Sequence, residues 1–363
     1  MGKLGISIYP ERSTFEKDKA YLDLAHKYGF KRVFTSLLQI TEDKDKVLAE
    51  FKQVVDYANS LGMEVMVDIN PALFEQLNIS YDDLSFFDEM GAYGVRLDIG
   101  FTGQEEAKMT RNPYGIKIEI NMSTGTSYVD NIMSFSPNIN NLMGSHNFYP
   151  HRYSGLGYDH FVRCSEMFRK YNINTMAFVN SLDASFGPWP TQDGLCTLED
   201  HRELEIGTQV KHFVLTGLID DISVANAYAS EVELKAMSEA FFAEYPTVKV
   251  DVTGDITADE REVLFNNLHS YRGDRSEYIL RSTMTRIKYK DLPFPAHNTI
   301  DMTKGDVLID NVGYDQYKGE TQIALKEMKN DGRVNVVGKI SADELFLLDF
   351  LKPWSSFKLI ENN

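Results

Sequence analysis

Three apolar runs early in the chain each carry a carboxylate at or past their midpoint: EVMVDINP (64–71), GVRLDIGF (94–101) and IKIEINM (116–122). Each alternates with period two, the pattern of a strand, so residues two apart share a face. Val65, Val67 and Ile69 form one face of the first run, leaving Met66, Asp68 and Asn70 on the other. Val95, Leu97 and Ile99 leave Arg96 and Asp98 opposite, and Ile116, Ile118 and Ile120 leave Lys117, Glu119 and Asn121. If the polar faces converge, Asp68, Asp98 and Glu119 meet. A carboxyl in the company of like charges has a raised pKa. One protonated carboxyl beside an ionised one suits glycoside hydrolysis: the first protonates the leaving oxygen, the second attacks, activates water or stabilises the oxocarbenium-like state. On this reading Glu119 is the general acid, kept protonated by its neighbours, and Asp98 is its partner, with Asp68 sharing that role.

The same residues admit other chemistry. Arg96 and Lys117 could neutralise the acids as structural ion pairs, although a fold has no need to gather three carboxylates in one place. Asp68, Asp98, Glu119 and His146 could hold a divalent metal, although no compact ligand motif marks such a site. An inward Lys117 could form a Schiff base, although surrounding acids hold a lysine pKa up rather than down.

Neutral hydrogen-bonding groups stand at or near the ends of the strand-like runs: Tyr9, Asn70, Asn121, His146, Asn147 and Asn180. Such groups suit sugar hydroxyls better than an apolar ligand. The segment NFYPHRYSGLGYDHF (147–161) adds His151 and Arg152 as cationic donors, with Tyr149 and Tyr153 to stack on a sugar face or pack within the loop. A long loop, VNSLDASFGPWPTQDGLCTLEDHR (179–202), has Trp189 near its centre. Loops longer than about 12–15 residues in a compact domain are usually functional.

What must position these residues is an alternation of strands and helices. Strand-like runs begin near residues 4, 31, 64, 94, 116, 141, 174 and 220, each followed by a helix-period stretch or a shorter substitute. Eight such units over roughly 240 residues point to a closed (β/α)8 barrel, a TIM barrel, whose active site lies at the carboxyl ends of the strands. No Gly-x-Gly-x-x-Gly follows the first strand, which argues against a dinucleotide fold. After about Tyr245 the pattern changes to strands joined by turns at Gly and Asp, namely TVKVDVTG, EYILRSTMTRIKYK, GDVLIDNVG, YKGETQIALKEM and RVNVVGKI. Helices are expected at ITADEREVLFNNL, with Thr257 and Glu260 as a capping box, and at SADELFLLDFL. The expected division is a barrel over 1–244 and a smaller, mostly β domain over 245–363.

The 363 residues are 43% hydrophobic and 25% charged, an ordinary globular composition. Lys and Arg number 37 against 54 Asp and Glu, a net charge of −17. That sign repels nucleic acid and anionic membranes, so neither is an expected partner, and an anionic ligand would need a local basic pocket. Two cysteines, Cys164 and Cys196, form no disulfide framework. With no apolar run of bilayer length and no signal-like start, a cytoplasmic location is expected. The oligomeric state cannot be read from the sequence.

GISIYPE, MVDINP, VRLDIGF, IEINMST, HNFYPHRYSGL and, further on, GDVLIDN, YKGE and RVNVVGKI together resemble the bacterial 6-phospho-N-acetylmuramidases over essentially the whole chain. The resemblance implies a barrel followed by a cyclophilin-like β domain. It implies intracellular hydrolysis of the β-1,4 bond of 6-phospho-N-acetylmuramyl-N-acetylglucosamine during peptidoglycan recycling, with no cofactor and no metal. On that implication the substrate's phosphate and lactyl groups call for cations, with His151 and Arg152 in the barrel and the Arg281–Arg286 stretch or the Tyr317–Lys318 region beyond it. Asp68 would share the carboxylate role or orient the 2-acetamido group. The rival readings are a metal-dependent sugar-phosphate isomerase or lyase, and a phosphosugar-binding protein without catalysis.

Overall fold

A computed structural model of the chain describes residues 2–37, 44–69, 74, 79–190 and 193–362, the backbone alone for 44–46. The chain divides into two compact units, Met1–Phe241 and Phe242–Asn363.

In the first unit β1 (Leu4–Ser7), β2 (Arg32–Ser36), β3 (Glu64–Ile69), β4 (Gly94–Leu97), β5 (Lys117–Asn121), β6 (Leu142–Ser145), β7 (Asn174–Val179) and β8 (Asp221–Val224) pair in chain order, all parallel, and β1 closes on β8. This is the expected (β/α)8 barrel. The outward faces carry Ile6, Val33, Val65, Val67, Val95, Ile118, Ile120 and Ala177, all buried in one continuous core with the surrounding helices. Parallel strands covered on both faces need this apolar supply.

The helix Tyr158–Arg169 shows how the outer layer docks. Phe161, Cys164, Ser165 and Phe168, at helical spacing, are its buried residues. A Cβ on Gly144 of β6 would stand 2.5 Å from the Phe168 ring, so only glycine lets that strand and helix approach this closely. Emptying the site with Phe168→Ala should cost about 3–5 kcal/mol. Elsewhere Thr14 caps the helix Phe15–Lys27 by accepting from Lys17 N, and Gly217 closes the helix Ile206–Thr216 at φ +66°.

The stretch after β4 contains the helix Gln104–Met109. A 3-10 turn at Glu199–His201 precedes the helix Ile206–Thr216. Ile99 is 65% exposed because β4 ends at Leu97 and the alternation stops with it.

The second unit holds β9 (Thr247–Val252), β10 (His269–Ser270), β11 (Ile279–Ser282), β12 (Asp306–Asp310), β13 (Thr321–Ala324), β14 (Val334–Ile340) and β15 (Ser356–Glu361) in one mixed sheet, ordered β10-β15-β9-β14-β12-β13-β11. Only β9–β15 is a parallel pair; the other neighbours are antiparallel. Thr257 and Glu260 form the expected capping box on the helix Ala258–Phe265. EYILRSTMTRIKYK is not one strand: it is strand only to Ser282 and then turns into the short helix Met284–Lys288. SADELFLLDFL is a 3-10 segment, Ala342–Phe350.

Candidate active site

The register of three neighbouring strands brings the charged residues together. Asp68 of β3 pairs with Arg96 of β4, and Arg96 with Glu119 of β5. Partners in adjacent parallel strands share a face, so all three side chains enter the barrel. Arg96 is the hub. Its Nη1 lies 2.7 Å from Asp68 Oδ1 and 3.4 Å from Asp98 Oδ1. Its Nε donates to Ser145 Oγ at 2.8 Å and stands 3.8 Å from Glu119 Oε1, and its Nη2 donates to Asn147 Oδ1.

Charges of alternating sign continue down the barrel. Arg32, at the start of β2, lies 3.5 Å from Glu119 Oε2, 2.9 Å from Asp221 Oδ2 and 4.0 Å from Glu64 Oε2. Asp221 and Glu64 are likewise the first residues of their strands. Glu119 thus sits between two guanidiniums in the middle of the barrel, not at its mouth. The side chains of Asp98, Asp68 and Glu119 are 38%, 8% and 0% exposed. The convergence expected from the sequence occurs on one arginine, but only Asp98 is substantially exposed, while Asp68 keeps a small accessible part and Glu119 none.

Burial decides the protonation of these acids. It pushes Asp68 up to about 7, with Arg96 opposing and Asp98 and Glu119 adding to the rise. It also raises Glu119, against the pull of Arg32 and Arg96. A carboxyl titrating near neutrality beside a more exposed one is the pairing that acid–base catalysis requires.

The mouth opens into a cavity of about 400 Å3 lined by Asp98, Phe101, Asn121, Thr124, Tyr128 and Asn147, among others. The volume falls within the range of small-molecule sites. Asn121 donates through Nδ2 to Asp98 O at 3.3 Å and accepts from Ser123 N at 2.8 Å. Tyr128 donates its hydroxyl to the buried Glu106, whose carboxylate also receives Phe101 N and, at 2.7 Å, Gly103 N. Glu106 therefore shapes this wall of the cavity. The sequence signal for this role is the capping-box spacing of Gly103 and Glu106 at the start of a helix.

His146 faces away from the cavity. Its Nδ1 lies 3.1 Å from Ser123 Oγ and its Nε2 2.9 Å from Ser165 Oγ on the helix behind, and burial lowers it to about 3, so it stays neutral. Ser123 Oγ accepts Asn147 N at 2.9 Å, so His146 positions Asn147 through Ser123. Among the described residues no group of three or more His, Cys, Asp and Glu is placed to hold a metal ion. Lys117 lies at the opposite end of the barrel, donating to Asn140 O at 2.9 Å and Asn141 Oδ1 at 2.8 Å, away from any Schiff-base position at the mouth.

The remaining sequence candidates are dispersed. Tyr9 is fully buried and donates its hydroxyl to Ala225 O at 2.6 Å. Asn180 is buried, donating to Arg202 O at 2.9 Å and accepting from Leu195 N at 2.8 Å. Both serve the scaffold. Asn70 lies outside the described residues. His151 and Arg152 are exposed, and Arg152 is answered by Glu203 at 2.7 Å. Tyr153 is 88% exposed with φ +67°.

Arg202, unmarked in the sequence, organises this loop. It donates to the carbonyls of Tyr149 (3.0 Å), Gly194 (3.0 Å) and His151 (3.1 Å) and grips Glu199 at 2.7 Å. Glu199, held down at about 2 by Arg202, accepts Tyr153 N and Gly155 N at 2.8 Å each. The loops after β6 and β7 are thus tied together by one buried cation.

Residues 4–239 match the family described as 6-phospho-N-acetylmuramidase, N-terminal, and residues 246–360 match 6-phospho-N-acetylmuramidase, C-terminal. Among solved structures, an uncharacterized B. cereus protein is 48% identical over 99% of both chains, with TM-score 0.92. A conserved Enterococcus faecalis protein of unknown function is 23% identical over 99% of this chain and 97% of that one, with TM-score 0.76, a likeness of fold. No curated protein matches the chain.

Proposed function

This chain belongs to the 6-phospho-N-acetylmuramidase family, a family of glycosidases, and from that premise we propose that it hydrolyses the β-1,4 bond of 6-phospho-N-acetylmuramyl-N-acetylglucosamine, with Asp68 as general acid and Asp98 as the partner carboxylate. The observation that carries the assignment is that both carboxylates rest on Arg96 Nη1, at 2.7 and 3.4 Å, one titrating near 7 and the other open to the cavity. A general acid must reach the oxygen it protonates. Glu119, with none of its side chain exposed, is placed to hold Arg96 rather than to touch a substrate.

In the proposed reaction Asp68 gives its proton to the glycosidic oxygen as the bond to the muramyl anomeric carbon breaks. Asp98 supports the developing positive charge, either by direct attack or by orienting the 2-acetamido oxygen as nucleophile. Water then completes hydrolysis, returning the proton to Asp68 and releasing 6-phospho-N-acetylmuramic acid and N-acetylglucosamine. Carboxyl oxygens shared by one nitrogen are closer than the ~6.5–9.5 Å of an inverting pair, which favours retention. Asn121 and Asn147 line the cavity as donors and acceptors for sugar hydroxyls. No described helix is long and apolar enough to cross a membrane. A substrate phosphorylated on uptake would place the reaction in the cytoplasm, within cell-wall recycling.

The test is incubation with the 6-phosphorylated and the plain muramyl disaccharide, with and without a chelator, followed by mass analysis and NMR of the first-formed anomer. Free N-acetylglucosamine from the phosphorylated substrate, undiminished by chelator and accompanied by the β-anomer of the muramyl product, is expected. Intact disaccharide would overturn the activity, and an α-anomer the assignment of retention.

A further inference from the structure

We propose that the second unit carries a binding site of its own for a phosphate monoester, formed by the guanidiniums of Arg281 and Arg286 above the buried carboxylate of Glu320. The sheet assembles it. Arg281 of β11 pairs with Gln322 of β13, Gln322 pairs with Leu308 of β12, and Asp310 ends that strand. Glu320 immediately precedes β13, and its O accepts Asp310 N at 3.1 Å.

Glu320 is fully buried and holds both arginines by the same edge. Arg281 Nε donates to its Oε1 at 2.5 Å, and Arg286 Nε stands 3.2 Å from its Oε2 without aligning into a hydrogen bond. An arginine held through Nε keeps its far Nη on the opposite edge of the guanidinium, turned away from that carboxylate. Among the described residues, neither Nη of Arg281 has a hydrogen-bond partner, and Arg286 uses only Nη1, on Gln316 O at 3.1 Å. Both side chains reach the surface, at 22% and 24% exposure. Arg286 is braced over the Tyr317 ring at 4.8 Å. A rigid guanidinium fork with unused donors matches the oxygens of a phosphate.

Charge and hydrogen bonding point the same way. Burial and the neighbouring Glu320 push Asp310 up to about 8, and Asp274, the other acid near Arg281, is paired with Arg272, so Glu320 is the buried charge that the two guanidiniums share. A local positive surplus in a chain of net charge −17 marks where an anion can settle. Among the described residues of this unit, the buried side-chain polar atoms without a hydrogen-bond partner are Thr283 Oγ1, Arg286 Nε, Asp310 Oδ1, Glu320 Oε2 and Thr321 Oγ1. All belong to this cluster or adjoin it in sequence. A network serving stability alone is normally satisfied throughout.

The site does not rest on the reading of the barrel, and its test is separate. Titration calorimetry of the full chain with inorganic phosphate should show one site, weakened at least about tenfold in Arg286→Gln. Glu320→Gln, close in shape, removes the anion that competes for both guanidiniums and should tighten binding several-fold. That variant tests the idea even if loss of an arginine unfolds the unit. Phosphate that fails to bind wild type up to about 10 mM, or binds wild type and both variants alike, overturns the proposal. N-acetylglucosamine 6-phosphate distinguishes the source. Tighter binding than inorganic phosphate, sensitive to the same variants, supports a saccharide ester, and equal binding supports free phosphate at the same site. Asp68→Asn should leave phosphate binding intact, so failure of hydrolysis and failure of this site are read apart.

Discussion

Arg96 Nη1 stands 2.7 Å from Asp68 Oδ1 inside the barrel, and even this close counterion does not return the acid to the usual carboxylate range, because burial outweighs it. Asp68 therefore crosses between its two protonation states near neutrality, where a general acid is most useful.

Asp68→Asn removes the proton donor with little change of shape. Turnover should fall by about 10²–10⁴ while the melting temperature stays close to wild type. In the wild type, kcat should decline as pH rises through about 7, where Asp68 loses its proton. A pH–rate profile checks this, and a flat profile from pH 6 to 8 would remove Asp68 from the role.

Glu119→Gln separates the buried acid from the chemistry. The Glu119 charge is one of the influences raising Asp68. Its removal should lower the Asp68 pKa and shift the basic limb of the kcat profile to lower pH, leaving much of the activity at the new optimum. Loss of activity at every pH, with the fold preserved by circular dichroism, would return Glu119 to a direct part in catalysis.

His146 makes a prediction about stability. Its folded pKa is lowered to about 3, against about 6.5 for an unfolded histidine. Between those values the unfolded chain binds a proton that the native state refuses, so this contribution to stability is present above about pH 6.5 and is lost as pH falls toward 3. His146→Asn should flatten part of the decline in urea-unfolding free energy between pH 7 and pH 5. Parallel declines in variant and wild type would show that His146 does not couple to folding in this way.

Arg152 tests where the substrate phosphate is held in the barrel. Its pair with Glu203 is exposed, and exposed pairs contribute only about 0–1 kcal/mol, so Arg152→Ala should leave stability unchanged. It should raise KM for the phosphorylated disaccharide at least about tenfold more than for the plain one. Equal changes for both substrates would exclude a phosphate contact.

Local rules worked where contacts are local. The capping box at Thr257 and Glu260 is visible in the residues themselves, and so is the amphipathic spacing of Phe161, Cys164 and Phe168. They failed where a distant partner decides. Arg202 closes what reads as a long loop, yet its bonds reach back to Tyr149 and His151. β15 escapes such rules although Phe357 and Leu359 alternate with exposed Lys358, because a short strand is recognised by what it pairs with, here β9 and β10.

The alternation of side chains along β3, β4 and β5 determined from sequence alone that Asp68, Arg96 and Glu119 enter the barrel, since period two dictates which face a residue takes. Which of those acids meets a substrate depended on depth along the barrel axis, and that is set by strand tilt and stagger once β1 has closed on β8. Closure left Asp98 open to the cavity and Asp68 largely buried on the same Arg96 nitrogen. It held Glu119 between Arg96 of the neighbouring β4 and Arg32 of β2, which is not its neighbour in the sheet. No pattern within one strand encodes that height, because it belongs to the register among all eight.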